Sequence, residues 1–153
     1  MYYMYPYPYY RQNGWANVFT LLQQSLYAEG MVCSMSTQML YNPETKDLKG
    51  NTKMHDHLVP ASYHRVTASG SAYRLTAGES DPYIITTAIS CIKNAQKQDK
   101  GVREGLQMMK ENANDTWRPF VEQIIKWQDV AESTLAQAKE TMQSMNVWES
   151  SQS

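Results

Sequence analysis

The chain has 153 residues, enough for one domain with a buried core, and its 14 basic and 15 acidic residues leave a formal charge of -1. That balance gives no overall field to attract nucleic acid or an anionic membrane. The apolar runs are only a few residues long, so no membrane-spanning segment is expected, and the start lacks the basic region of a secretory signal.

The first ten residues are MYYMYPYPYY, with no charge before Arg11. Each proline restricts itself and the residue before it, so residues 1–14 are expected to form an extended, polyproline-like tail. Tyr2, Tyr3, Tyr5, Tyr7, Tyr9 and Tyr10 each offer a large ring with a hydroxyl at its tip, and so are candidate anchors on a neighbouring molecule. A single helical-bundle domain is expected over 15–148, followed by a disordered 149–153.

Trp15, Phe19, Leu22 and Leu26 recur at helical spacing, predicting a first helix from Trp15 to about Glu29, capped by Asn13 and stopped at Gly30. From 31 to 81 the reading is divided. Met31, Met35 and Met39 suit a helix face, yet the same residues with Cys33, Thr37 and Tyr41 fit a strand's period of two. Turn chemistry follows at Asn42–Asp47. A second hairpin turning at Ser69-Gly70 competes with a helix beginning near Pro60 that would carry Tyr63, Val66 and Tyr73 inward. The balance falls towards a small β element or an irregular excursion.

The C-terminal half is clearer. Ser80-Asp81-Pro82 reads as an acidic cap with proline in the first turn, opening a helix over 82–113. Ile85, Ile92, Ala95, Val102, Leu106 and Met109 form its inward stripe, interrupted near Asp99, Gly101 and Gly105, where a kink is expected. A last helix runs from about Thr116 to Val147, with Trp117, Val121, Ile124, Ala131, Leu135, Ala138, Met142 and Met145 inward and Gln128 as the polar member of the seam. The fold class is therefore mainly α: a helical bundle with two long antiparallel C-terminal helices and a middle that is either a small hairpin or a further helix.

Three histidines, His55, His57 and His64, fall in MHDHLVPASYH. On a strand, His-x-His would put two imidazoles on one face, where they could share a metal. The ordinary reading is solvated loop histidines. Glu29 and Asp99 lie near inward stripes, as the carboxylates of ferritin-like bundles do, but no Glu-x-x-His accompanies them. Cys33 and Cys91 have no CxxC spacing, and buried free thiols are the simplest expectation. No Gly-x-Ser-x-Gly elbow or phosphate-binding glycine loop occurs. Lys93, Lys97, Lys100, Arg103 and Lys110 interleave with acids, which reads as a solvated helix face rather than a nucleic-acid stripe.

The Tyr/Pro-rich residues 2–10 resemble the ends of bacterial spore-coat and spore-associated proteins. The resemblance implies a non-enzymatic structural role: synthesis in the mother-cell cytoplasm without a signal peptide, then deposition in a protein layer. The sequence thus leads to an assembly protein with no cofactor, which self-associates or joins other structural proteins. The alternative is a small metal- or ligand-binding bundle of ferritin-like outline.

Overall fold

The computed structural model describes the backbone of residues 6–148 and the side chains of 14–148. It contains four helices and, among the described residues, no strand: α1 (Pro6–Leu40), α2 (Asn51–Thr76), α3 (Pro82–Asn112) and α4 (Arg118–Ser144). Helix α1 packs on α2 and α4, and α3 closes the ring by packing on the same two.

The heptad rhythm of the buried positions explains this arrangement. On α1 they include Trp15, Val18, Leu22, Ser25, Glu29, Val32, Ser36 and Met39, alternating by three and four. On α2 they include Met54, Leu58, Ala61, Arg65, Ala68, Ala72 and Leu75, and on α4 Val121, Ile124, Gln128, Ala131, Leu135, Ala138 and Met142. Alternation by three and four keeps one stripe facing a neighbour along the whole helix.

The expected β element in the middle is absent. Helix α1 continues through Gly30 to Leu40 and is described from Pro6, so the backbone of 6–14 is helical rather than the extended tail expected, and Asn13 lies within the helix instead of capping it. A spacing of four satisfies both a helix and a strand, so the methionines could not separate the two. Asn42–Asp47 is a connection between helices. Asn42 Oδ1 accepts from the Glu44 amide at 2.9 Å, and Thr45 Oγ1 donates to the Met39 carbonyl at 2.7 Å, satisfying an end of α1. Helix α2 runs through both Pro60 and Ser69-Gly70. Its inward face is the reverse of the one expected: Tyr63, Val66 and Tyr73 are exposed, while Arg65 and small residues face the core.

The predicted start of α3 is present. Asp81 accepts from the Tyr83 amide at 2.9 Å, and Pro82 occupies the first turn. The glycines of α3 serve close packing with α2. A Cβ on Gly105 would lie 2.7 Å from the Met54 backbone, and one on Gly101 would lie 2.3 Å from the His57 ring. Gly50 enters α2 at a φ of 104°, where a side chain would meet the Gly105 carbonyl. No helix among the described residues is long and apolar enough to cross a membrane.

Candidate functional site

The core is two hydrophobic clusters rather than one. The first joins Trp15, Val18 and Leu22 to Ala68, Ala72 and Leu75, to Ile84, Ala88, Ile89, Ile92 and Ala95 on α3, and to Leu135, Ala138, Met142 and Trp148. The second joins Val32 and Met39 to Met54, Leu58, Val102, Leu106, Met109, Val121 and Ile124. Between them lies a polar layer to which every helix contributes.

Arg65 of α2 is its centre. The side chain is fully buried, and Glu29 and Asp99 are only 2% and 3% exposed. Arg65 Nη1 and Nη2 donate to Asp99 Oδ1 and Oδ2 at 2.9 and 2.7 Å, a bidentate fork. Nη1 also donates to Glu29 Oε2, Nε donates to Ser25 Oγ at 2.8 Å, and Nη2 reaches the Ala131 carbonyl at 3.3 Å. The Ser25 hydroxyl in turn donates to that carbonyl at 2.6 Å. One guanidinium therefore ties α2 to α1, α3 and α4.

Burial alone would lower the pKa of Arg65. The hydrogen bonds and charge of Asp99, then those of Glu29, outweigh it and hold the guanidinium above its usual value. Glu29 moves up for the reason that burial penalises its charge, reinforced by Asp99. Arg65 and the nearby Ser62 hydroxyl pull the other way without cancelling the rise. Glu29 Oε1 is a buried acceptor with no hydrogen bond. Two ionised carboxylates against one guanidinium would leave the layer a net charge of -1. Burial disfavours that excess charge, and the upward shift of Glu29 is its consequence.

The layer extends towards the surface through α4. Gln128 Nε2 donates to Glu132 Oε2 at 3.0 Å, and Arg103 of α3 bridges Glu132 and Asp129. An open groove of about 640 Å³ between α3 and α4 is lined by Asp99, Glu132, Lys93, Lys97 and Lys100, so solvent reaches the edge of the layer on that side. On the solvated face expected of α3, Arg103 stays partly exposed while pairing with Asp129 and Glu132 of α4. An inward pair of acids was legible in the sequence, but Arg65 was not. Its only signal is the regular spacing of Leu58, Ala61, Arg65 and Ala68.

The histidines do not converge. Two positions apart on a helix are about 200° around it, so His55 and His57 turn to different neighbours. His55 Nε2 pairs with Ser36 Oγ of α1 at 3.1 Å, and His57 Nδ1 pairs with Gln98 Oε1 of α3 at 2.9 Å. Burial lowers the pKa of His55 against the pull of Asp56. His64 stacks edge-on with Tyr63, and its buried Nδ1 accepts no hydrogen bond. Among the described residues no three His, Cys, Asp or Glu side chains are grouped to hold a metal ion. Where ferritin-like bundles place metal between inward acids, this chain places the Arg65 guanidinium. Both cysteines are free; Cys91 is buried, but Cys33 is exposed, contrary to expectation. The tail residues Tyr2, Tyr3, Tyr5, Tyr7, Tyr9 and Tyr10 lie outside the described side chains.

No family model, curated protein or solved structure matches the chain.

Proposed function

We propose that this is a non-enzymatic assembly protein: a helical domain that self-associates, with the tail tyrosines Tyr2–Tyr10 contacting a neighbour in a protein layer of the spore-coat kind. The observation that carries this reading is the outward face of α2. Val59, Tyr63, Val66 and Tyr73 are 68%, 68%, 57% and 60% exposed and share one side of the helix. Scattered exposed apolar residues need no explanation, but a continuous stripe at helical spacing suits a protein partner.

Within the domain, α3 and α4 run antiparallel in this reading. Supporting it, Lys110 pairs with Glu122 while Arg103, a turn or two earlier, pairs with the later Asp129 and Glu132. Lys93, earlier still, lies over the ring of Trp148.

The test is the mass in solution, by light scattering across a concentration series, of the natural chain and of a variant with the six tail tyrosines replaced by serine. Larger assemblies of the natural chain that shrink to a small oligomer in the variant are expected. A monomer in both, at all concentrations, overturns the reading.

A further inference from the structure

The α2 stripe has an internal order that bears on what covers it. Val59, Tyr63, Val66, Gly70 and Tyr73 follow one another by four, three, four and three, and fall within an arc of about 80°. This arc lies opposite the inward seam that carries Arg65; at one end the Tyr73 ring meets Phe19 of α1 at 5.7 Å between centroids, while Val59, Tyr63 and Val66 stay more than half exposed. Gly70 stands in the middle of the exposed stripe. Glycine disfavours a helix interior, and a Cβ here would meet nothing within 4 Å. Packing inside this chain therefore gives no reason for it.

Resting on the assembly reading above, we infer that the occupant of this face is the same face of a second copy, packed antiparallel about a two-fold axis at Val66. Reading the stripe backwards gives its own complement. About Val66, Val59 mirrors to Tyr73 and Tyr63 to Ser69; because helical side chains lean towards their own N-terminus, the Tyr63 ring reaches one position further, to Gly70. Tyr73 meets the smaller Val59 and Tyr63 meets Gly70, with Val66 against Val66 at the axis. The missing Cβ of Gly70 is the recess for the partner's Tyr63. Charge follows the same symmetry. Asp56 and Arg74 are exposed at opposite ends on the same flank of the stripe, and an antiparallel pair brings each Asp56 within about one turn of the other copy's Arg74, twice over. Arg74 already holds Glu79 at 2.8 Å and can accept a second acid beside it. A parallel pair would instead oppose Tyr63 to Tyr63 and Gly70 to Gly70, which crowds one level and leaves a gap at another, and it would leave each Asp56 far from the other copy's Arg74.

The stripe is about 21 Å long, at the small end of protein interfaces. The pair is therefore expected at micromolar concentrations and above, as one contact in a larger assembly.

The test uses the full chain with Cys33→Ser, which removes the exposed thiol. Under mild oxidation at tens of micromolar, Val66→Cys is expected to cross-link to itself. Val59→Cys mixed with Tyr73→Cys is expected to give the mixed product in excess over either self-linked one. Gly70→Leu fills the recess without disturbing the chain's own packing, and is expected to weaken dimerisation about tenfold or more while helix content and melting temperature are kept. Self-linking at 59 and at 73 in place of the mixed product overturns the antiparallel arrangement. Association that persists unchanged in Gly70→Leu with no cross-link at 66 places the contact on another surface. In both cases the inference fails while the assembly reading stands. A monomer at every concentration overturns both.

Discussion

Arg65 shows how unevenly a buried charge is held. Its fork to Asp99 uses both carboxylate oxygens, whereas Glu29 offers one oxygen to the guanidinium and leaves the other without a hydrogen bond. The two acids should therefore respond differently to loss of charge. Asp99→Asn is expected to destabilise the fold by about 3–5 kcal/mol, the usual cost of removing one partner of a buried pair, measured by urea unfolding. Glu29→Gln, which removes a charge that burial already disfavours, should be close to neutral at pH 7. The pH dependence separates them further. Because the folded pKa of Glu29 is raised above 4.5, the folded state binds the extra proton. Its contribution is fully present below pH 4.5 and is lost as pH rises through the folded value. The difference in unfolding free energy between the natural chain and Glu29→Gln should then fall with rising pH across that window. A flat difference would show that Glu29 is ionised in the fold as readily as out of it. Replacing Glu29, Arg65 and Asp99 together by Leu, Met and Leu should cost little stability or gain some. In that case the layer serves to fix which helix faces meet, and the triple variant would show poorer chemical-shift dispersion.

At the scale of the helix, apolar periodicity misled where the apolar residues were not the buried ones. Leu58, Ala61, Arg65, Ala68 and Ala72 form the inward seam of α2, yet its most conspicuous apolar residues, Val59, Tyr63, Val66 and Tyr73, face out. The same holds on α1, where Ser25, Glu29 and Ser36 interrupt the stripe. Small residues at the α2–α3 contact bring the two backbones close, and Gly105 meets Met54 backbone atoms that cannot move aside like a side chain. Gly105→Ala, favourable for an isolated helix by about 1 kcal/mol, is therefore expected to lower stability by about 2 kcal/mol or more, as overpacking does, read as a fall in melting temperature. Pro60 is the reverse case. It sits inside α2 without an amide hydrogen to give. Pro60→Ala should stabilise the chain by up to about 3 kcal/mol.

For the whole molecule, a polar layer between two hydrophobic clusters gives a bundle with one permitted register, because sliding any helix by a turn would bury Arg65 among Leu, Ile and Met side chains. A rigid block of this kind suits repeated assembly. Under the assembly proposal, its outer surface, chiefly the α2 stripe, is where a neighbour would bind. A second, smaller apolar surface lies between α1 and α4, where Tyr27 meets Trp127 edge-on beside Val130. If layers form through α2 and the tail together, Val66→Glu and the tyrosine-to-serine tail should each reduce assembly size in light scattering, and the combination should leave a monomer.

The two C-terminal helices were legible from residue order alone because local chemistry governs them: Asp81-Pro82 sets a start, and Val121 to Met142 carry an unbroken seam. The inward placing of Glu29, Asp99 and Gln128 followed from the same periodicity. The middle of the chain was not legible, since Met31–Tyr41 satisfies both periods and Ser69-Gly70 has the composition of a turn. Tertiary contact settled it. Residues 51–76 remain helical through Pro60 and Gly70 because the seam on their other face is buried against α1 and α3. The partnership of Arg65 with Glu29 and Asp99 was likewise decided only in three dimensions. A lone arginine in a sequence is ordinarily a surface residue, and its burial is sustained by the converging acids of α1 and α3 together with Ser25 and the Ala131 carbonyl.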